Sequence, residues 1–154
     1  MDSDEQRSAA ASGTAEAGQL IGLHHVQLAA PRGSEEALRH FYGTALGMTE
    51  VPKPPVLAAR GGAWFRSGAL ELHLGVEDDF RCAGKAHPGI LVTDIDSVAS
   101  RLEDHGIGVQ WDDNFPGFRR CYVADPHGNR LELLEPRLTD PWPDRAERPS
   151  TAPY

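Results

Sequence analysis

The chain has 154 residues, 40% of them hydrophobic, and a formal net charge of -8 at pH 7. This size and apolar share fit one globular domain with its own core, and no apolar run approaches the ~20 residues that a membrane helix requires. The acidic balance argues against a nucleic-acid partner, since phosphate recognition calls for a basic surface, and is read as solubility.

In chain order, residues 1–19 are a polar stretch without a hydrophobic segment, expected to be a disordered tail and not a signal peptide. The segment "HHVQLAA" opens the domain as a strand. Ser34 is placed to cap a helix, Glu35 and Glu36 sit where its N-terminus favours anions, and Leu38, Phe41, Tyr42, Ala45 and Leu46 follow at helical spacing until Gly47 ends it. Strands are expected at 48–51, 63–66 and 69–74. The segment "HPGILV" then begins a second unit. Asp94 or Asp96 caps a helix with Ile95, Val98, Ala99 and Leu102 on its inner face, Gly106 ends it, and strands are expected at 108–111, 120–124 and 130–134. Both halves read β-α-β-β-β. Modules of about 20–76 and 86–136 thus make one domain over 20–136, and 137–154, with Pro141, Pro143, Pro149 and Pro153, is an extension without a core.

The halves also share a chemical pattern. Leu70-Glu71-Leu72 and Leu131-Glu132-Leu133 each follow a strand-opening histidine, with 46 residues from His25 to Glu71 and 45 from His87 to Glu132. That equivalence reads as one unit used twice. Alternate strand residues point to opposite faces, so Val26, Leu28, Leu72, Ile90, Val92, Leu131 and Leu133 take the apolar face. His25, Gln27, Glu71, His73, His87 and Glu132 fall on the other. If helices cover the apolar face, the opposite face becomes a curved, polar-lined cup, where a ligand site is expected. Two imidazoles and two carboxylates suit a divalent transition metal, of the Zn, Ni, Mn, Co or Fe(II) kind, held by His25, Glu71, His87 and Glu132. His73 shares the face of Glu71 and is itself a good ligand; register in the repeat favours Glu71, which leaves His73 to line the cup.

At "HHVQL", "FYGTALGM", "LELHLG", "HPGILVTDID" and "DPHGNRLELLE" the chain resembles the vicinal oxygen chelate superfamily, which contains glyoxalase I, methylmalonyl-CoA epimerase, extradiol dioxygenases and the fosfomycin and bleomycin resistance proteins. The resemblance covers roughly 22–136. It implies an α+β fold of two βαβββ modules forming an eight-stranded cup with helices on the outer face. It matches His25, His87 and Glu132 to the shared metal triad and Glu71 to the fourth ligand of the glyoxalase and epimerase branches. Tyr122 stands at the offset from Glu132 where extradiol dioxygenases and fosfomycin-modifying relatives carry a site tyrosine; as an ordinary residue it is an aromatic on a half-buried strand.

The expected chemistry is that of a glyoxalase-like isomerase or lyase. A small substrate chelates the metal through neighbouring oxygens, the metal acidifies an adjacent C–H and stabilises the enediolate, and Glu71 or Glu132 moves the proton. Gln27, Trp64, Arg66, His73, Trp111 and Arg120 are candidate substrate contacts by stacking and charge, although exposed arginines are usually just solvated. Rival readings are an Fe(II) extradiol-type dioxygenase, for which "WDDNFPGFRRCY" lacks the expected upstream histidine, a fosfomycin thiol transferase, and a non-catalytic antibiotic-binding protein. "PRGSE" lengthens the first strand-to-helix connection relative to glyoxalase I, and no glutathione-binding set is identifiable. A homodimer is expected, because relatives complete the site by pairing modules within or between chains. Cys82 and Cys121 make no disulfide framework, so a reducing cytoplasm is the default.

Overall fold

The computed structural model describes residues 18–137. The tail and extension expected at 1–19 and 137–154 lie almost wholly outside the described residues. Strands β1 (Val26–Ala30), β2 (Thr49–Val51), β3 (Ala63–Ser67) and β4 (Leu70–Val76) form one four-stranded sheet in the order β1-β4-β3-β2. Strands β5 (Gly89–Leu91), β6 (Gln110–Asp112), β7 (Phe118–Ala124) and β8 (Arg130–Pro136) form a second in the order β5-β8-β7-β6. In each sheet the first strand runs parallel to the fourth and the other pairs are antiparallel. The sequence repeat is thus a repeat of topology, and β4 and β8 each run two residues beyond their expected ends.

Alternation determines what each sheet buries. Ala63, Phe65, Leu72 and Leu74 of the first sheet and Cys121, Val123, Leu131 and Leu133 of the second are buried, and they join helix residues of both modules in one core. Full burial of each large side chain is worth about 1.5–3 kcal/mol. Helix α1 (Glu35–Leu38) continues as a π-helical segment, Arg39–Ala45, in which the Leu46 N–H reaches back five residues to the Phe41 carbonyl at 2.9 Å. An α-helix was the simpler expectation, but apolar spacing does not distinguish the two windings, since both keep Leu38, Phe41, Tyr42 and Ala45 inside. Ser34 does not cap: its backbone is already helical and its buried hydroxyl makes no hydrogen bond. Asp94 does cap helix α3 (Ile95–Asp104), its carboxylate accepting from the Ser97 N–H at 2.9 Å. Gly47 and Gly106 take the left-handed conformation after the two helices, as expected.

A short helix α2 (Pro55–Ala58) in the β2–β3 connection was not expected; "PPVLAA" gives only a proline start and no room for periodicity. Gly62 then brings the chain back into β3. Its φ is 77° and a Cβ there would lie 2.0 Å from the Leu74 carbonyl oxygen, so only glycine fits against β4.

A buried polar clasp joins the modules. The Tyr42 hydroxyl donates to Asp125 Oδ2 at 2.9 Å, and the Asn129 amide donates to the same oxygen and to the Ala29 carbonyl of β1, both at 2.8 Å. Asp125 Oδ1 accepts from the backbone N–H groups of His127 and Asn129 at 2.9 Å. The "DPHGN" turn therefore ties the β7–β8 corner to the π-helical segment and to β1. No described helix is long and apolar enough to cross a membrane.

Candidate metal and substrate site

Register places the polar side chains of the first sheet in rows. Gln27, His73 and Trp64 are paired across β1, β4 and β3, and Glu71 and Arg66 form the next row. His25, one residue before β1, continues the phase of Gln27. The rings of Trp64 and His73 stack at 3.8 Å with 3° between planes, and His25 stacks on His73 at 4.0 Å and 16°. His73 is only 4% exposed, and its Nε2 donates to Glu71 Oε1 at 2.8 Å. Arg66 closes the other side of the carboxylate, with Nη2 and Nε at 2.6 and 2.9 Å from Oε2. Bonds from His73 and then Arg66 hold the Glu71 pKa down to about 2. Packing against the neighbouring rings, then the charges of His73 and His24, lower the pKa of His25, which favours the neutral imidazole that a metal needs. Gly75 leaves room for Gln27: a Cβ there would meet the Gln27 amide nitrogen at 2.7 Å.

The second sheet repeats the plan with different partners. Glu132 is aligned with Tyr122 on β7 and Gly89 on β5. Its Oε1 accepts from Arg120 Nη1 at 2.7 Å and lies 3.5 Å from the Tyr122 hydroxyl, while Oε2 lies 3.3 Å from His87 Nε2. His87 Nδ1 donates to the Lys85 carbonyl at 2.7 Å, so the nitrogen turned toward Glu132 is Nε2. A hydrogen bond of this kind fixes which imidazole nitrogen is offered to an ion. Burial and then the Glu132 carboxylate raise the Tyr122 pKa, keeping the phenol protonated. Arg120 is also tied to Asp112 at 2.8 Å.

The four expected ligands therefore stand in two pairs: His25 reaches Glu71 through His73, and His87 touches Glu132. Among the described residues, no group of three His, Cys, Asp or Glu is disposed to share one ion. A cavity of about 470 Å³ lies along β1, with Gln27, Arg81, His87 and Asn129 among its walls. Trp111 lies elsewhere. It pairs with Cys121 and so projects to the face opposite Tyr122 and Glu132, where Arg119 covers its ring at 5.5 Å. Strand β6 begins at Gln110, two residues later than expected, and a rim position does not by itself fix strand phase. Arg130, which shares the Tyr122–Glu132 face two residues before Glu132, is missing from the sequence-based set; the same alternation that selects Glu132 also selects it.

No protein-family model matches the chain, and no curated protein does. Among solved structures, a protein of Bacillus anthracis described as a glyoxalase family protein is 46% identical, covers 79% of this chain and 99% of its own, and superposes with a TM-score of 0.76. The chain belongs to the glyoxalase family. Its wider superfamily is that of the vicinal oxygen chelate proteins, and more distant structures share the glyoxalase fold. They include the fosfomycin resistance protein FosX of Listeria monocytogenes, solved with Mn(II) and 1S,2S-dihydroxypropylphosphonic acid, at 16% identity over 79% of this chain and 96% of that one, TM-score 0.65. TnmS3, an antibiotic-binding protein of Streptomyces sp. CB03234, is 22% identical over 77% of this chain and 100% of its own, TM-score 0.58.

Proposed function

We propose that this glyoxalase-family protein is a metal-dependent isomerase or lyase acting on a small substrate with neighbouring oxygens. The observation that carries the reading is the duplication itself: equivalent places in two sheets each offer one imidazole and one carboxylate, from His25 and Glu71 in one and His87 and Glu132 in the other. The donor set fits a divalent ion in kind, since neutral imidazole nitrogen and carboxylate oxygen are its usual ligands. When bound, such an ion acts as a Lewis acid toward the chelating oxygens.

The chain's own groups then divide the remaining work. Glu71, kept anionic by His73 and Arg66, is suited to holding charge and is a weak base. Glu132, whose Oε1 lies 3.5 Å from the Tyr122 hydroxyl, is assigned the proton transfer. Trp64 and His73 wall the site with stacked rings, and Gln27 presents an amide beside them. The pairs are brought together by a homodimer, in which the first module of one copy meets the second module of another. Among the described residues the outer edges of β1 and β5 carry no strand, and Leu20, Ile21 and Leu23 just before β1 and Leu91 in β5 are exposed apolar side chains. The cytoplasm is the proposed compartment, consistent with Cys82 and Cys121 both being free thiols.

One observation favours a second reading, a binding protein without chemistry: the stack of Trp64, His73 and His25 is a ready aromatic platform. Turnover separates the two. Protein loaded with Mn(II), Ni(II) or Zn(II) is expected to convert a hemithioacetal, an acyl-CoA thioester or a related chelating substrate, and Glu132→Gln to reduce kcat at least ~100-fold with the fold intact. Tight binding of an unchanged aromatic ligand, with no turnover under any metal, would favour the binding protein.

A further inference from the structure

Both carboxylates of the candidate site are held by arginines, but not in the same way. Arg66 meets Glu71 from a side chain that is 54% exposed, whereas the Arg120 side chain is 17% exposed and held from several sides. Asp112 lies directly across from Arg120 on β6, with its Oδ1 2.8 Å from both Nε and Nη2, and Glu132 Oε1 accepts from Nη1 at 2.7 Å. The guanidinium carbon stands 5.2 Å from the centre of the Phe115 ring and 5.3 Å from that of Tyr122. These neighbours are anchored in turn. Asp112 accepts from the Asn114 backbone N–H at 2.8 Å and from its side-chain amide at 3.1 Å, and Phe115 stacks on Phe118 at 4.9 Å. Strand β6 and the β6–β7 loop thus hold a guanidinium whose Nη1 is aimed at Glu132.

The two oxygens of Glu132 have different neighbours. Oε1 is bonded to Arg120 and lies 3.5 Å from the Tyr122 hydroxyl, while Oε2 is the oxygen beside His87 Nε2 at 3.3 Å. The Lys85 carbonyl fixes which nitrogen His87 turns inward, and Arg120 does the same for the oxygen of Glu132. We propose that Arg120, braced by Asp112 and Phe115, is a positioning residue that holds Glu132 with Oε2 beside His87 Nε2, so that one oxygen and not two is offered to an ion. The sequence suggests a substrate contact at Arg120, but its donors are committed to Asp112 and Glu132. This assignment rests on the metal-site reading for the ion but not for the placement of Glu132. Charge alone makes the opposite prediction. A guanidinium 2.7 Å from the carboxylate repels a divalent cation, so its removal would tighten metal binding if it acted by Coulomb energy only. Removing a group that orients a ligand instead weakens binding, by roughly 10–100-fold.

Equilibrium dialysis of the full-length protein against Mn(II) tests the sign. Arg120→Gln should bind Mn(II) about tenfold or more weakly, and Arg120→Lys, which keeps the charge but not the fork, should fall between it and the wild type. Arg119→Gln removes an equal charge from the same strand, on the face where Arg119 meets Asp96 and Glu135, and should cause no loss. Mn(II) binding by Arg120→Gln as tight as in the wild type or tighter, or an equal loss in Arg119→Gln, would overturn the proposal. Should Arg120→Gln fail to fold, the uncharged change Phe115→Ala carries the test. A weakening of about two- to fivefold, the loss of one cation–π contact, supports the brace, and unchanged affinity overturns it. The placement of Glu132 is also read without metal, from the imidazole nitrogen signals of His87 in NMR spectra of the metal-free protein. They should move in Arg120→Gln and not in Arg119→Gln; identical His87 signals in Arg120→Gln and the wild type would overturn the proposal. A wild type that takes up no Mn(II), with His87 signals that still follow Arg120, would sink the metal reading alone and leave Arg120 as the group that places Glu132.

Discussion

Glu71 lies between His73 and Arg66, and both partners favour its ionised form. Its pKa of about 2, against an ordinary 4.5, means that the folded protein keeps this carboxylate charged where the unfolded chain protonates it. The associated stability is complete above pH 4.5 and is lost as pH falls toward 2. Urea unfolding of the metal-free protein should therefore show a falling midpoint across that range, and Glu71→Gln should flatten this part of the dependence; parallel curves would place the acid sensitivity elsewhere. In equilibrium dialysis the same substitution should weaken Mn(II) binding, because an amide is a poorer donor, whereas His73→Gln should leave most of it. The Leu-Glu-Leu pattern is enough to put Glu71 and Glu132 on the polar face. The pairing of Arg66 with Glu71 is not legible that way, because it depends on which β3 residue lies across from β4. Trp111 fails for the same reason, since its face is set by pairing with Cys121.

At the scale of elements, the β7–β8 corner has more than a turn's duty. Asp125 is 4% exposed and accepts from the Tyr42 hydroxyl, the Asn129 amide and two backbone N–H groups. Asp125→Ala would leave several buried donors unpaired and should cost about 3 kcal/mol, while Tyr42→Phe, which removes one bond, should cost about 1 kcal/mol. Urea melts of the two variants check the ranking; equal costs would mean that the clasp is not one network. The sequence "DPHGN" announces the turn through proline and glycine, but its partners on β1 and the π-helical segment lie 100 and 83 residues away from Asn129 and Asp125, beyond any local pattern. The strands were legible because period-2 alternation holds along most of β4 and over 120–123 of β7 and 130–133 of β8. The π winding and the uncapped Ser34 were not, since both depend on how the first helix packs.

For the whole molecule, two sheets of identical strand order give two donor pairs, and the proposed metal site needs them to join around one ion. Neither pair would suffice alone: one imidazole and one carboxylate leave most positions of a six-coordinate ion to water, so the proposed site would need both modules. A homodimer would join them while covering the exposed Leu20, Ile21 and Leu23 beside β1. The most direct measurement is metal content per chain across the gel-filtration peak, with light scattering giving mass, for the wild type and for His25→Ala and Glu132→Ala after saturation with Mn(II). About one ion per chain in a dimeric peak is expected, with a sharp loss in both variants, one from each module. Full metal retention by both variants would contradict it.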